Sequence, residues 1–172
     1  TITYSGTGIT FQDNSNNNTV FANTISGNGN SVLLERSSGN LFYHNNFINN
    51  TDDHVSFATN VWYKEGEGNY WWDYSGLDDG SNGRTAGDGV GDTDIPYQEV
   101  DYYPLTVPHV PIQVLVARSA YPIRLISNST IWAFKFIQVI PCIGFDVRSA
   151  PGTVGFCNIT IPKVVLRENS TH

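Results

Sequence analysis

Over the first sixty residues, apolar side chains recur in short alternating runs separated by asparagine, serine and glycine. GITFQDNSNNNTVFANTISGNGN (8–30) is followed by SVLLERSSGNLFYHNNFINNTDD (31–53), and a third copy opens with HVSFATNVWY at residue 54. Ile9, Val32 and Val55 correspond, as do Phe11, Leu34 and Phe57. Asn18 matches Asn40, Val20 matches Phe42, Asn23 matches Asn45 and Ile25 matches Phe47, at a period of 22–23 residues. The alternation within each copy is that of a strand, not the 3.6-residue period of a helix. Short strands with polar corners, repeated at this length, predict the rungs of a parallel β-helix. Each rung buries its inward residues against the next, and asparagines stacked at the corners can hydrogen-bond along the stack. Asn23 and Asn45 are therefore expected to be structural, not catalytic. A low-complexity asparagine tract would not keep its apolar residues in register.

After the rungs, charge changes the picture. Of the 16 acidic residues, 12 lie between Asp52 and Asp101, where Lys64 and Arg84 are the only basic ones. The net charge of −7 argues against nucleic acid or an anionic membrane as partner. Negative charge peaks in AGDGVGDTD (86–94), where Asp88, Asp92 and Asp94 stand at i, i+4 and i+6 and Gly89 and Gly91 let the backbone curl. Calcium takes six to eight oxygen ligands at once. Asp78, Asp79, Asn82 and the Val90 carbonyl can complete such a shell around the three aspartates. The spacing is not that of an EF-hand, and with no Cys or His in the loop zinc is disfavoured. The competing expectation is a metal-free turn, since Asp and Gly both favour turns.

Beyond the rungs, GNYWWDYSG (68–76), GDGVGDTDIPY (87–97) and VDYYPL (100–105) follow in order. With the asparagine-rich copies, they make residues 8–105 resemble the NosD-like family of right-handed parallel β-helices, extracellular proteins common in archaea. The resemblance implies a β-helix outside the cytoplasm and supports calcium in the loop. TDIPY has one more residue than the family's usual ending, and DDGSNGRTAG is longer and less acidic than an uninterrupted acidic loop. The family's name derives from copper assembly. Copper calls for Met, Cys or clustered His; the chain has no Met, and His44, His54 and His109 are dispersed in sequence, which makes copper unexpected. His44 and His54 are expected at the surface.

Trp62, Tyr63, Tyr70, Trp71, Trp72 and Tyr74 gather where the rung pattern ends. They are expected to close the end of the β-helix, which would otherwise expose core and unpaired edges. Alternatively Trp62, Tyr63, Trp71, Trp72 and Tyr74 present flat faces to sugar rings.

Residues 106–112, with three prolines in YYPLTVPHVPIQV, predict an extended linker between a β-helix over 1–105 and a second domain over 113–172. There, strands are expected at Gln113–Arg118, Tyr121–Ser127, Ile131–Val139, Cys142–Val147, Val154–Ile161 and Val164–Arg167, with a turn at RSAPGT (148–153). These suggest a small Ig-like β-sandwich. FDVRSAPGTVGFCNITIPK resembles a sandwich module appended to archaeal surface proteins. Cys142 and Cys157 flank the turn and can pair in an oxidising compartment, although side-chain alternation puts them out of phase. Sequons at Asn17, Asn49, Asn128, Asn158 and Asn169 favour a secreted or cell-surface glycoprotein.

The fold class expected is all-β. The rungs carry only Asp13, Glu35, Arg36, Asp52 and Asp53 as acid–base candidates, with no carboxylate pair repeated at one position. A non-catalytic surface protein for adhesion or architecture is the leading expectation. A polysaccharide lyase or hydrolase, or a glycan-binding module, is the alternative. Thr1 opens almost directly in a rung, which suggests a piece of a longer β-helix or an end that stacks on another subunit. Strand donation from the second domain is a further route to assembly.

Overall fold

The computed structural model describes residues 1–56, 58–116, 119–127, 130–137, 142–148 and 157–166. They form two compact units, Thr1–His109 and Val110–His172.

In the first unit, β1 (Ile2–Thr3), β2 (Thr7–Phe11), β3 (Thr19–Phe21), β4 (Thr24–Ser26), β5 (Asn30–Leu34), β6 (Leu41–Tyr43), β7 (Asn46–Ile48), β8 (Asp52–Ser56) and β9 (Tyr70–Trp71) make three sheets. Their orders are β1-β4-β7-β9, β2-β5-β8 and β3-β6, and every pairing is parallel. That is the rung architecture the repeat predicts. The first two rungs place one strand in each sheet and the third reaches the β3-β6 sheet through the bridge of Val61 to Leu41, so a residue sits beneath its counterpart from the preceding copy. Ile2, Ile25, Phe47 and Trp71 follow one another in one column. Ile25, Val32, Leu34, Phe42, Phe47, Trp62 and Trp71 form the buried core, each contributing about 1.5–3 kcal/mol by burial.

The third copy differs from its expected register. His54, not Val55, lies beside Val32, and Val55 lies beside Leu33. The second rung is 22 residues long whereas the first, with an additional corner residue, is 23 along this sheet. Phe57 lies outside the described residues.

The corners explain the asparagines. Asn17, Ala22, Gly27, Gly39, His44 and Asn49 all have positive φ, and each immediately precedes a ladder asparagine. The left-handed residue turns the chain, and the asparagine after it recovers the hydrogen bonds that the sheets lose there. Asn18 N donates to Asn40 Oδ1 at 2.9 Å, and Asn40 N to Asn60 Oδ1 at 2.9 Å. A second column runs from Asn23 N to Asn45 Oδ1 and from Asn45 N to Asn69 Oδ1, both at 3.1 Å. A third joins Asn28 N to Asn50 Oδ1 at 3.0 Å.

The segment expected as a linker starts inside this unit. Thr106 N donates to Gly89 O at 3.0 Å. His109 N donates to Asn46 Oδ1 at 2.7 Å, and Asn46 Nδ2 donates to His109 O at 2.8 Å. Val110 already begins a strand.

The second unit contains β10 (Val110–Val116), β11 (Ser119–Ser127), β12 (Thr130–Ile137), β13 (Cys142–Arg148) and β14 (Cys157–Thr160). They pair antiparallel as β10-β11-β14 and β12-β13. Ile123 and Leu125 alternate into the interior of β11. The strand expected at Val164–Arg167 is replaced by a 3-10 turn over Lys163–Leu166 that buries Val165. Most of the RSAPGT turn lies outside the described residues. Cys142 and Cys157 are free and exposed, on strands of different sheets, and the possible bridge between them is not formed.

Candidate functional site: the closed end and its acidic loop

Phe42 stacks on Trp62 and Phe47 on Trp71, each at 4.4 Å between ring centroids. Trp71 packs against Tyr97 at 5.6 Å, and Tyr97 meets Tyr74 edge-on at 5.3 Å. The aromatic residues therefore continue the core as a cap. Trp62 and Trp71 are 1% and 0% exposed, which removes both as sugar-contacting faces. Trp72, at 49%, remains open, Tyr63 is half-buried, and half-buried Tyr74 donates its hydroxyl to Thr93 O at 2.6 Å.

Asp101, absent from the expected site, holds the cap together. Its Oδ2 accepts from Asn69 N at 2.8 Å, Trp71 Nε1 at 3.0 Å and Asn69 Nδ2 at 3.3 Å. Its Oδ1 accepts from Tyr103 N at 3.0 Å. The second asparagine column thus terminates on a carboxylate. Burial pushes the Asp101 carboxyl up to about 6, against the opposing pull of the donors from Trp71, Asn69 and Tyr103.

In the acidic loop the carboxylates mostly organise backbone. Asp78 accepts from Gly87 N at 2.6 Å and Gly89 N at 2.7 Å. Asp79 accepts from Ser81 N and Asp88 from Val90 N, each at 3.0 Å. Hydrogen bonds from the Ser81 side chain and then its backbone hold the exposed Asp79 carboxyl below its usual range. Asp92 Oδ2 accepts from Gly80 N at 2.6 Å, and Asn82 Nδ2 donates to Asp92 O at 2.7 Å. Asp94 and Asn82 are exposed, while Val90 is buried and its strand-like bridge runs to Leu105. Among the described residues, no three His, Cys, Asp or Glu side chains converge as they would around an ion. Asp92 nevertheless has a buried Oδ1 with no hydrogen-bond partner.

His44 and His109, dispersed in sequence, are brought together. Their rings stack at 4.4 Å and 11°, and His44 Nε2 meets Glu67 Oε2 at 2.6 Å. His109 is buried and His44 half-buried, contrary to the surface position expected for His44. The mutual hydrogen bonds of Asn46 and His109 fix this arrangement, and they join residues too far apart in the chain for spacing to reveal. Asn17 and Asn49, two of the sequon asparagines, are exposed at corners. Asn128 and Asn169 lie outside the described residues, and Asn158 is on β14.

Residues 1–76 match the family model described as "Periplasmic copper-binding protein (NosD)". No curated protein and no solved structure matches the chain. The match covers the rungs and ends before the acidic loop. His44 and His109 do not fit copper chelation, because in-plane lone pairs of rings only 11° from parallel cannot converge on one ion. Over its rungs the chain is thus similar to the NosD family of periplasmic proteins, a likeness with which its parallel, all-β stack agrees.

Proposed function

We propose that the chain is a non-catalytic structural or adhesive module that works outside the cytoplasm, its β-helix stabilised by calcium at the acidic loop. The supporting observation is how the polar side chains of the rungs are used. The buried asparagines bond to one another and one of their columns ends on Asp101, so the polar chemistry of the stack holds backbone instead of facing a substrate. The described rungs bring together no group of three acidic or metal-ligating side chains. The family description and the sequons favour a periplasmic, secreted or cell-surface location. Association with further copies or with other surface proteins is part of this proposal, since parallel rungs extend by adding strand to strand.

Calcium dependence is tested by thermal unfolding of the whole chain with calcium and with excess chelator at matched ionic strength. With a Kd of ~10⁻³ M, about 10 mM calcium adds about 1.4 kcal/mol, or roughly 5 °C. Equal melting temperatures reject the calcium-stabilised loop. Light scattering over a concentration series tests assembly, where a strict monomer rejects self-association. Release of reducing ends or unsaturated uronates from polysaccharides would overturn the non-catalytic assignment.

A second reading, a glycan-binding module, is favoured by one feature. Val61, Tyr63, Glu99, Val100 and Tyr102 contribute to an open cavity of about 300 Å³, enough for a single sugar ring. Quenching or blue-shift of tryptophan fluorescence by an oligosaccharide library would support it.

A further inference from the structure

We infer that calcium is anchored by Asp92 Oδ1, with the other loop aspartates shaping the backbone around it instead of binding the ion; the inference rests on the calcium reading above. Asp92 differs from its neighbours. Asp78 already engages both oxygens with the N–H groups of Gly87 and Gly89, and Asp79 and Asp88 each take a nearby N–H. Asp92 is only 1% exposed. One of its oxygens takes Gly80 N, and the other is enclosed with no hydrogen bond.

A buried carboxylate oxygen left without a donor is strongly disfavoured. Arg84, the only basic residue between Leu77 and Asp94, donates to Gly91 O at 3.1 Å and lies over the Tyr103 ring at 4.5 Å. Beyond the Gly80 N–H on Oδ2, the backbone of Asp92 meets two groups that carry oxygen. Its N–H donates to Leu77 O at 2.6 Å, and its carbonyl receives the Asn82 amide, whose other end is an oxygen. The loop from Leu77 to Asp94 offers carboxylates, an amide and backbone carbonyls but no Cys or His, a donor set that selects a hard cation. Calcium accepts irregular ligand sets around one buried carboxylate, whereas magnesium demands a near-ideal octahedron. The five aspartates against Arg84 add a field that favours any cation. One anchoring carboxylate gives weak binding, in the ~10⁻⁴–10⁻³ M range of extracellular modules.

The test is terbium luminescence on the whole chain, with calcium as competitor, on wild type, Asp92→Asn, Asp78→Asn and Asp94→Asn. Tyr74, bonded to Thr93 O beside Asp92, is the adjacent sensitiser. Asp92→Asn is expected to weaken calcium about tenfold or more, because it removes the anchoring charge. Asp94→Asn, at an exposed position, changes affinity less than about threefold. Asp78→Asn lowers the melting temperature equally with and without calcium. Retained binding in Asp92→Asn, with loss in Asp78→Asn, overturns the anchor and leaves calcium standing. Absence of terbium and calcium binding in the wild type overturns both, and assigns the enclosed oxygen to a buried water. Should Asp92→Asn fail to fold, the wild type decides by NMR. Calcium is then expected to shift the amides of Gly80 and Asp92 more than those of Gly87 and Gly89; the reverse pattern overturns the anchor.

Discussion

Replacing Asp101 with alanine is expected to unfold the first unit under mild conditions, at a cost of about 3–6 kcal/mol. Asn69 N, Trp71 Nε1 and Tyr103 N all lose their acceptor, and each buried donor left unpaired costs about 1–3 kcal/mol. Whole domains are stable by only about 5–15 kcal/mol. No neighbour can take over, because the site is closed to water and Gly68 lies against the carboxylate so closely that even a methyl group built there would land on it. Urea unfolding followed by tryptophan fluorescence measures the loss, with Trp62 and Trp71 reporting directly from the core. A midpoint unchanged from wild type would show that Asp101 does not hold the cap.

The same residue sets a pH dependence whose direction is fixed by burial. Its carboxyl is raised from 3.8 to about 6 in the folded chain, so the folded state binds the proton more tightly than the unfolded state. The contribution is fully present below the unfolded value and is lost as pH rises through about 6. Its size is about 3 kcal/mol, from roughly two pKa units at 1.36 kcal/mol each. Asp101→Asn keeps the volume and removes the titration. The stability difference, wild type minus Asp101→Asn, is therefore expected to fall between pH 4 and pH 7, and parallel curves would rule out the raised carboxyl.

Much of this architecture was legible because the rung repeats itself. Apolar residues in register identified the strands, and the paired asparagines identified two of the three corner columns. The third, Asn28 over Asn50, obeys the same rule of a left-handed residue followed by asparagine. That rule could have been read from NN, AN, GN and HN dipeptides five residues apart. What lay outside the repeat was not legible. Asp101 reaches Asn69 across 32 residues, with no periodicity to connect them. The acidic loop was read as charges waiting for an ion, since spacing counts carboxylates but does not show which oxygens the backbone will occupy. Asp78 meets amides 9 and 11 residues away, and only folding leaves Asp92 as the one with an enclosed, unpartnered oxygen. In the second unit, alternation located strands, but the run Val164–Arg167 was too short to distinguish an edge strand from the 3-10 turn of Lys163–Leu166.

The second large effect belongs to the middle of the longest column. Asn45→Ala is expected to cost about 3–5 kcal/mol, whereas Asn18→Ala, at an exposed corner, costs about 1 kcal/mol or less. Asn45 is fully buried. Its Oδ1 accepts from Asn23 N at 3.1 Å, and its Nδ2 donates to Val20 O at 2.9 Å, Asn69 Oδ1 at 3.0 Å and Tyr43 O at 3.2 Å. Truncation therefore strands donors and an acceptor on the rung above and acceptors on its own rung and the one below. Asn45→Asp separates this bonding from mere volume. It is nearly isosteric, yet it turns an oxygen toward three acceptors, so it should be about as damaging as alanine at neutral pH and recover in part on acidification, when the carboxyl can donate. If Asn45→Asp instead matched wild type at neutral pH, the column would be packing, not hydrogen bonding. The column also ends on Asp101 through Asn69, so Asn45→Ala and Asp101→Ala share partners and should be less than additive together. Strict additivity in that double-mutant cycle would mean that the corner asparagines act one rung at a time and the cap does not lock the stack.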